Sequence, residues 1–127
     1  MTQMTVSLKA LLMAAALALP GLAMAAEPAM MKDGMMVDHK GMTLYTFNKD
    51  SAGKSVCNDK CATNWPPLMA AAGDSSMGDW TVIKREDGSM QWAYKDMPLY
   101  TFVMDKTAGD KTGDGKMDGA WKIAKAK

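Results

Sequence analysis

The sequence has few of the residues from which catalytic and nucleic-acid-binding sites are usually built. It contains one histidine, His39, and two cysteines, and its 15 basic residues nearly balance its 14 acidic ones. The charged residues form no run of one sign, which argues against nucleic acid as a partner. The chain also contains no nucleophile elbow and no phosphate-binding glycine loop. We therefore expect a protein that is not an enzyme.

Long apolar runs are equally scarce. Residues 10–19 (ALLMAAALAL) are apolar, but such a run extends only about 15 Å as a helix, half of what a bilayer needs. Lys9 precedes the run and the small residues at 23–25 follow it, a pattern typical of a signal peptide over residues 1–25. No cysteine stands at the cleavage site to accept a lipid. We expect a periplasmic or secreted protein with no transmembrane segment after cleavage and no lipid anchor.

One seven-residue pattern occurs twice in the chain. Residues 44–50 read LYTFNKD and residues 99–105 read LYTFVMD, so a Tyr-x-Phe-x-x-Asp motif recurs after 55 residues. Self-similarity of this kind indicates an internal repeat. The predicted organisation is a flexible lead-in over residues 26–33 and a two-repeat domain over residues 34–127, with repeat one at about 34–78 and repeat two at about 79–127.

Short strand-like runs separated by turn residues predict an all-β fold. An Asp-Gly pair at positions 87–88 lies between two such runs, and this is a strong hairpin signal for a turn with positive φ at both central positions. Residues 121–124 resemble a closing strand, and no long stretch has a helical period. We predict a small single domain of two homologous β-hairpin or meander repeats, with at most one short helical turn near Cys57 and Cys61.

The repeated motif has two possible roles. Within a strand, its tyrosine and phenylalanine share one face of the sheet, and its aspartate falls just beyond the strand. A carboxylate there can accept backbone N–H groups and fix the following loop. Alternatively, side chains from the two repeats converge on a shared ligand site. We favour the structural role, because two repeats with the same local need explain the pattern more simply. The residues concerned are Tyr45, Phe47, Asp50, Tyr100, Phe102 and Asp105.

The two cysteines are separated by three residues. In an exported chain of this size, Cys57 and Cys61 most often form a disulfide, and their spacing on a helical turn would put the Cα atoms about 6 Å apart. Two alternatives need free thiolates: metal binding and a thiol oxidoreductase. The second requires a lowered pKa at Cys57, and Lys54 and Lys60 are the only cations close to it in sequence.

Methionine is unusually frequent, with 15 residues in the full chain. Several surround the single histidine, and thioether sulfur is a soft ligand suited to Cu(I). A copper site formed by Met35, Met36, His39 and Met42 is therefore an alternative to a purely structural use of methionine. The remaining methionines are scattered, which favours ordinary packing, since methionine adapts to irregular cores. Apart from copper, we expect no cofactor.

The repeated motif, the Cys-x3-Cys pair and the Trp-Pro-Pro sequence at 65–67 together resemble a known family. This is the family of secreted repeats and predicted lipoproteins named for its Yx(FWY)xxD motif, whose function is not established. The resemblance implies an exported, non-catalytic binding or envelope-associated protein with an unknown ligand, and periplasmic copper binding is the alternative function. The chain departs from the lipoprotein members in having no lipid-bearing cysteine.

Overall fold

The fold is assembled from short antiparallel strands. The computed structural model describes residues 27–125, and the predicted signal peptide, residues 1–25, lies outside them. No helix in this described part is long and apolar enough to cross a membrane. The strands are β1 (Met30–Lys32), β2 (Met35–Val37), β3 (Tyr45–Phe47), β4 (Trp80–Lys84), β5 (Met90–Tyr94), β6 (Met97–Pro98) and β7 (Trp121–Ile123), and the short helices are α1 (Lys60–Asn64) and α2 (Lys116–Gly119).

The strands form three small antiparallel sheets. β1 pairs with β2, β3 pairs with β7, and β4, β5 and β6 form a three-stranded sheet in that order. α1 lies beside the cysteines, where a helical turn was predicted, and α2 adds a second turn. Within α2, Met117 and Asp118 have the positive φ of left-handed backbone. The predicted all-β class is confirmed.

Part of the segment predicted as a flexible lead-in, residues 26–33, forms the strand β1. β1 pairs residue by residue with β2, with Met31 opposite Met36. The turn between the strands, Asp33-Gly34, has φ of 51° and 81°, as two-residue hairpins require. The side chains of β1 are all exposed. This strand therefore lacks the alternation of apolar and polar residues from which a strand can be predicted in a sequence.

The predicted Asp-Gly hairpin is present between β4 and β5, with a different turn. Only Gly88 has positive φ there. The Arg85 N–H donates to the Ser89 carbonyl at 2.8 Å, and the Gly88 N–H donates to the Arg85 carbonyl at 2.9 Å. This is a three-residue loop in which a left-handed glycine follows a tight turn. Two consecutive positive φ values occur instead at Lys95 and Asp96, between β5 and β6.

The two repeats are interlocked through their motif strands. The N–H of Tyr45 donates to the carbonyl of Tyr100 at 2.8 Å, and the N–H of Tyr100 donates to the carbonyl of Tyr45 at 3.0 Å. Each motif then runs beside the C-terminal part of the other repeat. β3 pairs with β7, and the Val103 N–H donates to the Asn64 carbonyl at 2.9 Å. Each repeat thus completes the backbone hydrogen bonding of the other's motif.

A stack of four aromatic rings fills the space between the repeats. Trp65 and Trp121 lie face to face, with ring centroids 3.8 Å apart and planes within 2°. Phe102 stacks on Trp65 at 4.0 Å, and Phe47 stacks on Trp121 at 4.2 Å. The loop after the second motif, residues 105–109 (DKTAG), is one residue longer than the loop after the first, residues 50–53 (DSAG). The motifs are 55 residues apart and the two tryptophans are 56 residues apart, so the tryptophans occupy equivalent positions in the two repeats. Rings of this size supply a large share of the buried apolar area.

A second cluster of buried apolar side chains lies on the other side of the motif strands. Leu44 and Leu99 precede the motif tyrosines, and they point away from the ring stack because successive residues of a strand face opposite sides. Each motif therefore joins two cores, one through its aromatic pair and one through its leucine. The cluster consists of Ala29, Met36, Leu44, Trp80, Trp92, Leu99 and Ala124.

We predict that both phenylalanines of the stack are essential for stability. Phe47→Ala and Phe102→Ala should each lower the free energy of unfolding by about 3–5 kcal/mol, because each leaves a cavity beside a tryptophan. Urea unfolding measures this change. Val103→Ala is the matched control, since Val103 is 42% exposed, and it should change stability by less than about 0.5 kcal/mol. Unchanged unfolding of both phenylalanine variants would show that the stack is not the core.

Candidate functional site

The motif tyrosines and aspartates meet inside the molecule, and they do so across the repeats. The Tyr45 hydroxyl donates to Asp105 Oδ2 at 2.7 Å, and the Tyr100 hydroxyl donates to Asp50 Oδ2 at 2.6 Å. The two tyrosines are completely buried, and the aspartates are 8% and 6% exposed. The side chains do converge, but they bind one another. We call these two interactions the crossed Tyr–Asp pairs.

The other oxygen of each carboxylate fixes the loop that follows its own motif. Asp50 Oδ1 accepts the Val56 N–H at 2.8 Å. Asp105 Oδ1 accepts the Thr112 N–H at 2.9 Å and the Thr112 hydroxyl at 2.6 Å. Each aspartate therefore ties its own loop to the tyrosine of the opposite repeat, and the loop-fixing geometry expected of a structural motif is present in both copies.

Burial is the largest cause of the pKa shifts of Tyr45, Tyr100 and Asp50 in the crossed pairs. It raises the pKa of both Tyr45 and Tyr100 above the ordinary value of 10.0, and the hydrogen bond to a carboxylate raises it further. Burial also raises the pKa of Asp50, although the Tyr100 hydroxyl, the Val56 N–H and the positive charge of Arg85 oppose this rise. The tyrosines therefore remain neutral donors at any pH in the ordinary range.

A buried arginine supports only one of the two pairs. Arg85 is 5% exposed, and its Nη1 donates to Ser55 Oγ at 3.1 Å and to Gln91 Oε1 at 2.8 Å. Ser55 Oγ lies 2.5 Å from the Tyr100 hydroxyl. Because the Tyr100 proton is directed to Asp50, Ser55 donates to the Tyr100 oxygen. The result is a continuous chain of donors that runs from Arg85 through Ser55 and Tyr100 to the carboxylate.

The equivalent position near Tyr45 is filled by backbone. The Gly113 N–H donates to the Tyr45 hydroxyl oxygen at 3.2 Å. A Cβ atom at Gly113 would lie 2.7 Å from the ring of Trp65 and 3.1 Å from that of Phe102, so only glycine fits there. Neither this glycine nor Arg85 was predicted from the sequence, where Arg85 looks like an exposed residue at a hairpin end.

The predicted disulfide is present. Cys57 and Cys61 are bonded, with their Cα atoms 5.1 Å apart. Cys57 is fully buried, and Cys61 packs against the aromatic stack. The Cys57 carbonyl also accepts Arg85 Nη2 at 2.6 Å, so the disulfide loop is held to the second repeat. In this state neither sulfur is a thiolate, which both the thiolate-metal and the thiol-oxidoreductase alternatives require.

The methionines and histidine of the predicted copper site do not come together. Met35 and Met36 are successive strand residues and face opposite sides of β2. Met36 is buried in the second core cluster. His39 is exposed, and its Nε2 donates to the Glu27 carbonyl at 2.7 Å, while the Met42 N–H donates to Asp38. Within residues 27–125, no three His, Cys, Asp or Glu side chains form a cluster suited to a metal ion.

Four methionines, including Met36 of the predicted copper site, line one cavity. It measures about 320 Å³ and lies between the β1–β2 hairpin and the start of β4. We call it the thioether cavity. Its walls include Met30, Met31, Met36, Met77, Trp80, Tyr94, Glu27 and Asp79.

A second, larger depression lies at the surface beside β7. Its volume is about 470 Å³, and we call it the lysine groove. Apolar side chains form its floor and ammonium groups its rim, with a single carboxylate among them. The floor includes Met36, Leu99 and Ile123, and the rim includes Lys95, Lys122, Lys125 and Asp114.

The protonation of the crossed pairs predicts a loss of stability in alkali. Because the folded-state pKa of Tyr45 and Tyr100 is raised, the unfolded chain releases these protons first as the pH passes about 10. Their stabilising contribution is complete below that pH and is lost above it. Urea unfolding between about pH 9 and about pH 11 should show the decline. Tyr45→Phe and Tyr100→Phe, alone and together, should flatten it, and an identical pH profile in these variants would contradict the assignment.

Comparison with known proteins places both halves of the chain in one family. Residues 29–69 and residues 81–125 each match a lipoprotein family described as a secreted repeat of unknown function. The first match begins before β1, so the first hairpin belongs to the repeat. Neither the curated proteins nor the solved structures gave a match. The predicted resemblance and the predicted export are confirmed, and the chain belongs to this family of secreted repeats.

Proposed function

We propose that this protein is an exported, non-catalytic binding domain that holds an organic anion with an apolar part in the lysine groove. The observation that carries the proposal is the groove itself, in which positive charge surrounds an apolar floor. Ligand sites in proteins are commonly concave and largely apolar, with a few polar groups that orient the ligand.

The charge of the groove stands out against that of the whole chain. The complete sequence carries a net charge of only +1. Within the groove, three ammonium groups face one carboxylate, that of Asp114. Lys122 lies on β7 opposite Thr46 of β3, and Lys95 lies in the turn after β5, where its Nζ is 5.5 Å from the centroid of the Tyr94 ring. A local excess of one sign in a concave surface attracts ligands of the opposite sign.

The floor of the groove supplies the apolar contact. Met36 and Leu99 are almost completely buried, and Ile123 is half-buried beside them. These residues come from both repeats, so the groove exists only in the interlocked fold. The expected ligand places an anionic head group at the rim and a hydrocarbon part on the floor. Free fatty acids and anionic phospholipids belong to this class.

The motif residues support a binding role indirectly. The hydroxyls of both tyrosines and the carboxylates of both aspartates are engaged in the crossed pairs and are buried. A substrate would have to break these hydrogen bonds to reach them, at a cost of about 1–3 kcal/mol for each group left without a partner. We therefore assign the motif to the scaffold and the ligand to the groove.

Titration with decanoate tests the groove. The wild-type protein should bind it, and Lys95→Gln/Lys122→Gln/Lys125→Gln should weaken binding by at least about tenfold, since about 1.4 kcal/mol distributed over three charges suffices for that change. The matched control is Lys32→Gln/Lys84→Gln/Lys106→Gln, which removes the same charge from exposed positions outside the groove. Thermal melting should be the same for both variants.

A parallel titration with phosphatidylglycerol vesicles distinguishes the two sources of the anion. Binding of decanoate alone would identify a carrier of free fatty acids, and binding of vesicles alone would identify an envelope-associated protein. The proposal fails if the wild type binds neither probe, or if the groove variant binds as tightly as the control variant.

A further inference from the structure

Three of the methionines that line the thioether cavity, Met31, Met36 and Met77, come from separate segments of the chain. Met31 and Met36 are direct cross-strand partners in the β1–β2 hairpin, so their side chains lie on the same face. Met36 is buried in the second core cluster together with Trp80, and Met77 packs against that cluster. Met77 also exchanges backbone hydrogen bonds with Trp80, at 2.8 Å and 2.9 Å. The register and the turn therefore place all three methionines in the lining of one cavity, which Trp80 also lines.

We infer that Met31, Met36 and Met77 bind Cu(I) at this cavity. Thioether sulfur is a soft, uncharged ligand that selects Cu(I) over divalent ions such as Zn(II), which prefer imidazole, thiolate and carboxylate. A cavity of about 320 Å³ has room for a bare ion of this kind. The site shares Met36 with the floor of the lysine groove, but it uses sulfur ligands and none of the lysines of the groove rim, so its occupancy does not depend on the organic anion proposed there.

Two further features of the cavity favour a cation. Glu27 and Asp79 line it, and their negative charge lowers the energy of a positive ion among neutral sulfurs. The indole of Trp80 forms part of the wall, and the face of an indole ring attracts cations. Trp92, edge to face at 6.2 Å, and Tyr94, with its ring centroid 4.8 Å away, hold the Trp80 ring in a fixed position in this wall.

This set of ligands differs from the set that the sequence predicts. Only Met36 belongs to both. Met35 faces the opposite side of β2, and His39 lines a separate cavity. Met77 belongs to the segment just before β4 and lies next to the first hairpin only in the folded chain, so local sequence around the histidine could not indicate it.

Titration with Ag(I) tests the site, because Ag(I) has the same soft-ligand preference as Cu(I) and needs no reductant that could open the disulfide. Native mass spectrometry should show one ion bound per chain, and tryptophan fluorescence should change as the ion approaches Trp80. Met31→Leu/Met36→Leu/Met77→Leu should weaken binding by at least about tenfold and abolish the fluorescence response. Methionine and leucine have similar volumes, so the fold should be retained.

Further variants test whether Ag(I) binding depends on these three methionines in particular. Met69→Leu/Met104→Leu/Met117→Leu removes three exposed thioethers and should leave binding unchanged. Met31→Leu/Met77→Leu spares Met36, which also borders the lysine groove, and should still weaken binding. The inference is wrong if the wild type binds no Ag(I), if the exposed-methionine variant loses binding to the same degree, or if Met35→Leu/His39→Gln/Met42→Leu loses it while the cavity variant does not.

Discussion

The crossed Tyr–Asp pairs are the interaction on which the rest of this fold depends. A buried carboxylate is costly unless several donors satisfy it. Here each carboxylate receives a hydroxyl from the opposite repeat and one backbone N–H from its own loop. One repeat alone would leave its aspartate without the hydroxyl and its tyrosine without the acceptor. The motif can therefore satisfy its buried polar groups only when both copies are present. In each copy the phenylalanine packs in the ring stack, the tyrosine donates a hydrogen bond and the aspartate accepts one.

The two halves have diverged around this shared centre. Repeat one has a disulfide, and the loop that carries it is held by Arg85. Repeat two has Gly113 at the equivalent place and the left-handed turn α2 instead. In both cases a buried tyrosine oxygen receives a hydrogen bond: the Ser55 hydroxyl donates to Tyr100, and the Gly113 N–H donates to Tyr45. Surface residues do not have to satisfy a buried tyrosine in this way. The lysine groove and the thioether cavity lie at this less constrained surface.

Local sequence patterns predict a good part of this structure. The repeat, the all-β class, the disulfide and the sharing of one strand face by tyrosine and phenylalanine follow from spacing and composition. The partner of each aspartate does not, because the distance between Tyr45 and Asp50 along the chain is equally compatible with a contact inside one repeat. Arg85 and Met77 were missed for a related reason: their partners lie far away in the sequence. β1 was missed because its side chains are exposed.

Double-mutant cycles measure the crossing most directly. Tyr45→Phe and Asp105→Asn are made singly and together, and the same is done for Tyr45→Phe and Asp50→Asn, with the free energy of unfolding taken from urea titrations. The cross-repeat cycle should give a coupling energy of about 0.5–3 kcal/mol, whereas the within-repeat cycle should be additive to within about 0.5 kcal/mol. Coupling within a repeat and additivity across the repeats would contradict the interlocked arrangement.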